Sequence, residues 1–247
     1  SLFYNPANLT LSSGSETILM HNQWIQGIKS ELLGVSSKLF GISFALGFNV
    51  TTVNDIEVRT KPGLPISTFN ANYFFGSFSS GFNLTRNIST GFSIKYLYEG
   101  MLSNDATGWG FDFGLNYITP IKGLRADVVI KNLGYMNKLK NESTKLPSEI
   151  RIGPAYSFKL LNPKIKITTA AEIQKYTGAN NVHINTGVEI LYDNLLALRG
   201  GYQSGYKSKS FTAGFGLNWG NLSFDYAFQP FSFGLGNANM FSLRFKF

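Results

Sequence analysis

The 247-residue chain is expected to be all-β, a transmembrane antiparallel barrel of about fourteen strands forming a single domain over residues 1–247. Three observations carry that expectation. Apolar and polar residues alternate with period two over long stretches, which places each set on its own face of a strand. The connections between these stretches are alternately tight and longer, around an even strand count, as in outer-membrane barrels. Charged residues make up only 15% of the chain while Phe numbers 22 and Gly 26. A soluble domain carries about a quarter charged residues, so the low charge and abundant aromatics predict an outside that does not face water.

Taken in order, strands are expected near 14–23, 28–38, 41–51, 69–84, 89–101, 107–119, 122–133, 147–159, 164–175, 182–192, 195–204, 209–219, 221–229 and 238–247. The pattern is clearest toward the C-terminus. Phe241, Leu243, Phe245 and Phe247 alternate with Ser242, Arg244 and Lys246; Leu222, Phe224, Tyr226 and Phe228 alternate with Ser223, Asp225 and Ala227. Phe211, Ala213, Phe215, Leu217 and Trp219 oppose Thr212, Gly214, Gly216 and Asn218, and Trp109 to Tyr117 repeats the scheme against Gly110, Asp112, Gly114 and Asn116. Segment 69–84 changes phase, from Tyr73 and Phe75 to Phe78 and Phe82, which predicts a bulge or kink. Most of these segments match the roughly 9–11 residues of a tilted membrane strand, and no window approaches the roughly 18 apolar residues of a membrane helix.

The tight connections are Leu39–Phe40, Thr85–Ser89, Pro120–Ile121, Leu160–Pro163, Asp193–Asn194 and Gly220; the longest are Thr52–Thr68 and Gly134–Leu146. Short turns of such barrels face the periplasm and long loops face outward. Both chain ends then fall on the periplasmic side of a bacterial outer membrane, with residues 1–13 as a lead-in. A soluble sandwich or lipocalin-like barrel would turn its polar face outward, but faces of Gly, Ser, Asn and Ala are too bland for a solvated exterior.

Composition also excludes function classes. The net charge is +8, yet Lys and Arg are spread singly and not clustered in a stripe, so nucleic acid is not an expected partner. Lipid headgroups are. With no Cys and only His21 and His183, no transition-metal site, cofactor or disulfide is expected. No local nucleophile motif occurs, and a hydrolase would need nucleophile, base and orienting group together, so an enzyme is not expected. Glycine pairs such as Gly214/Gly216 and Gly234/Gly236 have strand spacing and are not phosphate loops.

Charges on the faces assigned to the lumen are the first candidate site: Lys95, Glu99, Asp112, Arg125, Asp127, Lys131, Glu149, Arg151, Lys166, Glu172, Glu189, Arg199, Asp225, Arg244 and Lys246. Mixed signs on neighbouring strands predict cross-strand ion pairs, such as Asp225 with Arg244 or Lys246. Such a set is either a structural lattice or the lining of a selective conduit. The turn Asn5-Pro6-Ala7 is a second candidate, either capping the barrel floor or gating passage.

Several segments resemble one known family. Asn5-Pro6-Ala7 within "SLFYNPANL" resembles the Asn-Pro-Ala signature of FadL-type barrels. "VVIKNLG" (Val128–Gly134), "LPSEIRIGPAYSF" (Leu146–Phe158), "LLALRGGYQSG" (Leu195–Gly205) and "FDYAFQPFSFGLGNANMFSLRFKF" (Phe224–Phe247) resemble PorV/PorQ-type outer-membrane proteins. The resemblance runs over the whole chain and implies a FadL-like fourteen-stranded barrel, in agreement with the count above. It also implies that the terminal aromatic, Phe247, marks the last strand for the insertion machinery. Family members carry a signal peptide and a small-residue-rich plug segment before Asn-Pro-Ala, and the sequence here begins without them.

The resemblance implies two functions of different kinds. A PorV-like barrel is an accessory or shuttle of type IX-like protein export, with other outer-membrane or secretion proteins as partners; this is the favoured expectation. A FadL-like barrel is a passive transporter of long-chain fatty acids or other hydrophobic compounds, which would have a hydrophobic ligand and an apolar upper lumen. For export, loop 52–68 with Asp55, Glu57, Arg59 and Lys61 is the candidate partner surface, since binding residues concentrate on loops held by a rigid scaffold.

Overall fold

The computed structural model describes residues 3–102, 104–140, 142–160 and 162–247. The strands are β1 (Glu16–Gln23), β2 (Lys29–Leu39), β3 (Ile42–Val58), β4 (Ser67–Asn83), β5 (Ile88–Met101), β6 (Asn104–Ile118), β7 (Leu124–Met136), β8 (Lys138–Leu139), β9 (Glu142–Ser143), β10 (Glu149–Lys159), β11 (Ile165–Tyr176), β12 (Val182–Tyr192), β13 (Leu196–Ser204), β14 (Phe211–Trp219), β15 (Leu222–Pro230) and β16 (Asn237–Lys246). The short β8–β9 pair stands apart as a two-stranded sheet. The other fourteen close into one antiparallel ring in chain order, with β1 hydrogen-bonded to β16. Every strand edge of the ring is therefore paired, which is what a spanning sheet requires in a solvent without hydrogen bonds.

Tight turns close the hairpins where the sequence places them. Phe40 and Gly41 both have positive φ (53° and 82°), as do Asp193 and Asn194 (51° and 56°). Two successive left-handed residues make the turn whose twist matches that of paired strands. At the opposite end the connections are mostly longer, and the two ends are called the short-turn and long-loop ends below.

The alternation resolves as expected. Along β6, Trp109, Phe111, Phe113 and Leu115 are exposed on the outer surface while Gly110, Asp112, Gly114 and Asn116 are buried inside. Phe48, Phe215, Leu217, Leu243 and Phe245 continue this apolar outer band around the ring.

Three expectations on the strands need correction. The segment 69–84 holds no bulge: β4 pairs with β5 in unbroken register from Ala71–Met101 to Asn83–Ser89. Its phase change arises because aromatics sit on both faces. Tyr73 and Phe75 share the inner face with Ser77 and Ser79, opposite Glu99 and Leu97 of β5, whereas Phe78 and Phe82 lie on the outer one. The loop assigned to 52–68 is largely strand, since β3 runs to Val58 and β4 starts at Ser67; each is 17 residues long. Its register shifts between Val53 and Ile56, where Asp55 has φ of 56°. Beyond the barrel both faces of a hairpin are wet, so hydrophobic alternation fades although pairing continues. Finally, β7 extends to Met136, into the loop assigned to 134–146. It carries a bulge at Asn132 (φ 57°), which shifts the outward set from Val128 and Ile130 to Leu133 and Tyr135.

Candidate functional site in the barrel interior

The interior is built first by the N-terminal segment. Pro6–Leu11 forms a short 3-10 helix whose N-cap Asn5 accepts a hydrogen bond from the Ala7 N–H at 3.0 Å, and Pro6 supplies a preset φ at the first position. Asn5, Pro6, Ala7 and Leu9 are buried. The helix lies inside the ring against β4, β5 and β6, near their short-turn ends. Glycines make that seat. A Cβ at Gly91 would stand 2.5 Å from the Pro6 carbonyl carbon, and one at Gly114 would overlap the Asn5 side chain. Asn5 Nδ2 donates to Asp127 Oδ1 at 3.1 Å, which also accepts from Asn116 Nδ2 at 2.9 Å. Above the helix, Lys131 Nζ donates to the Phe3 carbonyl at 2.8 Å, Phe3 meets Phe75 edge-on, and the Arg151 guanidinium lies 5.1 Å from the Tyr4 ring centroid.

The expected lumen charges converge into three paired groups. Lys95 bonds to Asp112 at 2.7 Å and to the Asn132 side-chain oxygen at 2.9 Å, while Asp112 accepts the Asn132 backbone N–H at 2.8 Å. The bulge at Asn132 thus aims both an amide and an N–H at the buried ion pair. Glu149 meets Arg151 at 2.8 Å, with Lys131 at 3.9 Å, and Arg151 reaches Glu172 at 3.6 Å. Arg199 bridges Glu189 at 2.7 Å and Asp225 at 2.5 Å.

That last pair corrects the expectation for Asp225. The register sets Asp225 opposite Ser242, and Arg244 opposite Ser223, so neither Arg244 nor Lys246 is its partner. Arg199 reaches it instead across β14, whose Gly214 and Gly216 leave the space: a Cβ at Gly216 would lie 2.5 Å from Asp225 Oδ1 and 3.1 Å from Arg199 Nη1. Glu99 accepts from Thr144 at 2.9 Å. Arg125, Lys166, Arg244 and Lys246 form no ion pair among the described residues.

Sequence reasoning missed the neutral partners. Gln174 is buried and donates to Glu149 at 2.5 Å; Asn185 donates to Glu172 at 3.1 Å. Their inward strand parity was legible, but attention to charge alone passed over amides. It also missed Tyr206, on residues 205–210, which stacks on His183 at 3.9 Å and donates to Gln174 Oε1 at 2.8 Å over the long-loop mouth. Lys209 lies 4.2 Å from the Tyr206 ring centroid. Burial, with the Arg151 charge as the second cause, lowers the pKa of its ammonium below the ordinary lysine value.

Space remains between these groups. A cavity of about 500 Å³ is lined by small and apolar residues, among them Ala170, Gly187, Gly201, Gly214, Ala227 and Met240, beside the Arg199 group. A second, of about 280 Å³, lies between Tyr4 and the Arg151–Glu172 pair, and Arg125 borders both. The other expected residues lie elsewhere. Asp55 and Glu57 sit on the extended part of the β3–β4 hairpin, Arg59 and Lys61 at its tip, and Arg59 pairs with the nearby Glu57 and donates to the Gly63 carbonyl. Phe247 donates its backbone N–H to the Ser15 carbonyl at 3.0 Å and packs against Phe245. Among the described residues no three His, Cys, Asp or Glu side chains converge as a metal site would require.

No family model and no curated protein sequence matches the chain, so membership of the PorV/PorQ family is not shown. Solved structures do match over its whole length. A "TodX deltaS2S3 mutant monoaromatic hydrocarbon channel" superposes with a TM-score of 0.65 at 11% identity, covering 98% of this chain and 92% of that one. A Pseudomonas aeruginosa FadL homologue gives 0.58 at 12% identity, with the same coverage. The Acinetobacter baumannii outer-membrane protein Omp33 gives 0.55 at 7% identity, covering 95% of this chain and 98% of that one. At such identities the likeness is one of fold: the chain is a closed, fourteen-stranded antiparallel barrel of the architecture seen in TodX and FadL.

Proposed function

We propose that the chain is a non-enzymatic, passive channel of the bacterial outer membrane for small, uncharged and largely apolar compounds. The observation that carries this reading is the pairing of charge around the central cavity. Most of the lumen's central charges are spent on one another; the cavity beside the Glu189–Arg199–Asp225 group is otherwise walled mainly by Gly, Ala and Thr with Met240, and Arg125 is the one charge of its lining outside an ion pair among the described residues. At about 500 Å³ it is within the range of small-ligand sites. A pore built to draw in ions would leave one sign of charge unpaired around this cavity, whereas the unpaired inward cations Lys166, Arg244 and Lys246 lie toward the short-turn rim. The outer band of Phe, Leu and Trp supports residence in a bilayer, since an apolar patch of that extent is not left in water. In this reading the short-turn end and both termini are periplasmic, and the helix Pro6–Leu11, with Asn5-Pro6-Ala7 at its start, is the floor through which cargo must pass.

The likeness to a hydrocarbon channel and a FadL homologue supports transport over the protein-export role favoured on sequence grounds, for which neither the barrel nor its neighbours offers support. The test is flux into liposomes carrying the purified barrel. An uncharged aromatic solute should enter about tenfold faster than its carboxylate counterpart or a sugar of similar size, a difference of about 1.4 kcal/mol in barrier. Equal rates for all three would replace this reading with a general porin. No flux, together with recovery of a defined protein partner in detergent, would restore export.

A further inference from the structure

Around the central cavity most inward charges pair, but toward the short-turn end they do not. Lys38, Lys159, Lys166, Arg244 and Lys246 all face inward within three residues of the short-turn ends of β2, β10, β11 and β16. None of the five has an ion-pair partner among the described residues. Glu16, opposite Lys246, is the acidic side chain that faces inward at the same level. Lys159 and Lys166 stand directly opposite each other, and like charges so placed repel and cost stability. One step further in, Arg125 borders the central cavity, and Asp127 next to it accepts from Asn5 and Asn116.

The helix Pro6–Leu11 takes up the β3–β6 side of this mouth. What is left to a solute runs from β7 through β10, β11 and β16 to β2, and that arc is where the five cations stand. Between Lys166 and Arg244 the arc carries the neutral Asn218 and Ser223, which face each other on β14 and β15. The long-loop mouth differs: there Gln229 donates to Gln203 at 2.8 Å and Tyr206 stacks on His183. One sign of charge around a mouth with low-dielectric walls concentrates the opposite ion and repels its own kind. We infer that the short-turn mouth is a sign filter, which passes small anions and turns back cations, inorganic or organic. The central cavity disfavours charge of either sign, so the two act in series. Solutes of one size then pass in the order uncharged, carboxylate, amine. The inference rests on the channel reading proposed above.

The test is the reversal potential of the full barrel in planar bilayers of zwitterionic lipid under a potassium chloride gradient, read beside solute entry into liposomes. Near 0.1 M salt, chloride should be about fivefold more permeant than potassium. At 1 M the ratio should approach one, because the screening length falls from about 10 Å to about 3 Å. The triple variant Lys159→Gln/Lys166→Gln/Arg244→Gln should bring the low-salt ratio to within about twofold of one. Lys29→Gln removes a cation from the outer face at the long-loop end of β2 and should leave the ratio in place. An aromatic amine should enter liposomes about fivefold more slowly than its carboxylate counterpart. A parent ratio at or below one, or a ratio that the triple variant keeps, would overturn the filter. If an uncharged aromatic solute enters while chloride and potassium pass equally, the filter falls and the channel reading stands. A barrel that passes neither ions nor uncharged solute overturns both.

Discussion

The interior wall of the barrel has two parts of opposite character. From β4 to β13 it carries ion pairs, amides and the seat of the N-terminal helix, so that Lys95, Asp112, Asp127, Lys131, Glu149 and Arg151 are all tied to neighbours or to the segment itself. From β16 through β1 and β2 to β3 the inward positions include Met240, Ser242, Ile18, Met20, Leu32, Gly34, Ala45 and Gly47, with hydroxyl and amide contacts among Ser30, Asn49 and Thr51 and charge only near the short-turn rim. One wall is held by ion pairs and the other, above its rim, is uncharged and mostly small or apolar. A conduit needs both, since contacts fix the floor and its supports while a surface largely without charge lets an apolar solute move along it.

Breaking the polar wall should be the most damaging change. Asp112→Ala leaves the Lys95 ammonium buried without its carboxylate and removes the acceptor of the Asn132 N–H. The expected loss is about 3–5 kcal/mol in urea refolding into bilayers. Adding Lys95→Met should restore most of it, because the uncompensated charge is then gone. On the plain wall, Met240→Ala should stay well below that figure; comparable losses would dissolve the distinction.

The next effect concerns inner and outer faces of one strand. Phe215→Arg places a charge on the apolar outer band and should cost roughly 2–4 kcal/mol, whereas Asn218→Arg, on the inner face of β14, should cost much less. Equal destabilisation would invert the assignment of faces.

Moving the floor tests what the polar wall is for. Gly91→Val drives a side chain into the Pro6 carbonyl, and overpacking of this kind costs about 1–3 kcal/mol. The helix should lift, so flux in liposomes should rise while the ring stays intact by gel mobility. Gly178→Ala, in the loop between β11 and β12 where an added Cβ would meet nothing within 4 Å, is the control and should leave flux unchanged. Smallest of all, Arg59→Ala removes an exposed ion pair at the tip of the β3–β4 hairpin and should shift stability by no more than about 0.5 kcal/mol.

Period two by itself determined the barrel, because in a strand the face of each side chain follows from parity alone. That is why the outward Phe and Trp residues, the inward charges and the even strand count were legible without coordinates. The tight turns were too, since short polar or glycine-bearing links between alternating runs admit few geometries. Only the tertiary structure decided which inward residues meet. Arg199 bonds to Asp225 two strands away because β14 offers glycines at the crossing, and parity says nothing about diagonal reach. Nor could it show that Asn5-Pro6-Ala7 packs inside the ring, as that depends on Gly91 and Gly114 lying side by side on neighbouring strands. The bulge at Asn132 lay within reach of the sequence, in the slip from Val128 and Ile130 to Leu133 and Tyr135; what it does, presenting an amide to Lys95 and an N–H to Asp112, needed the third dimension. Faces are a local property of the chain, whereas contacts across a lumen depend on register, closure and the space that absent side chains leave.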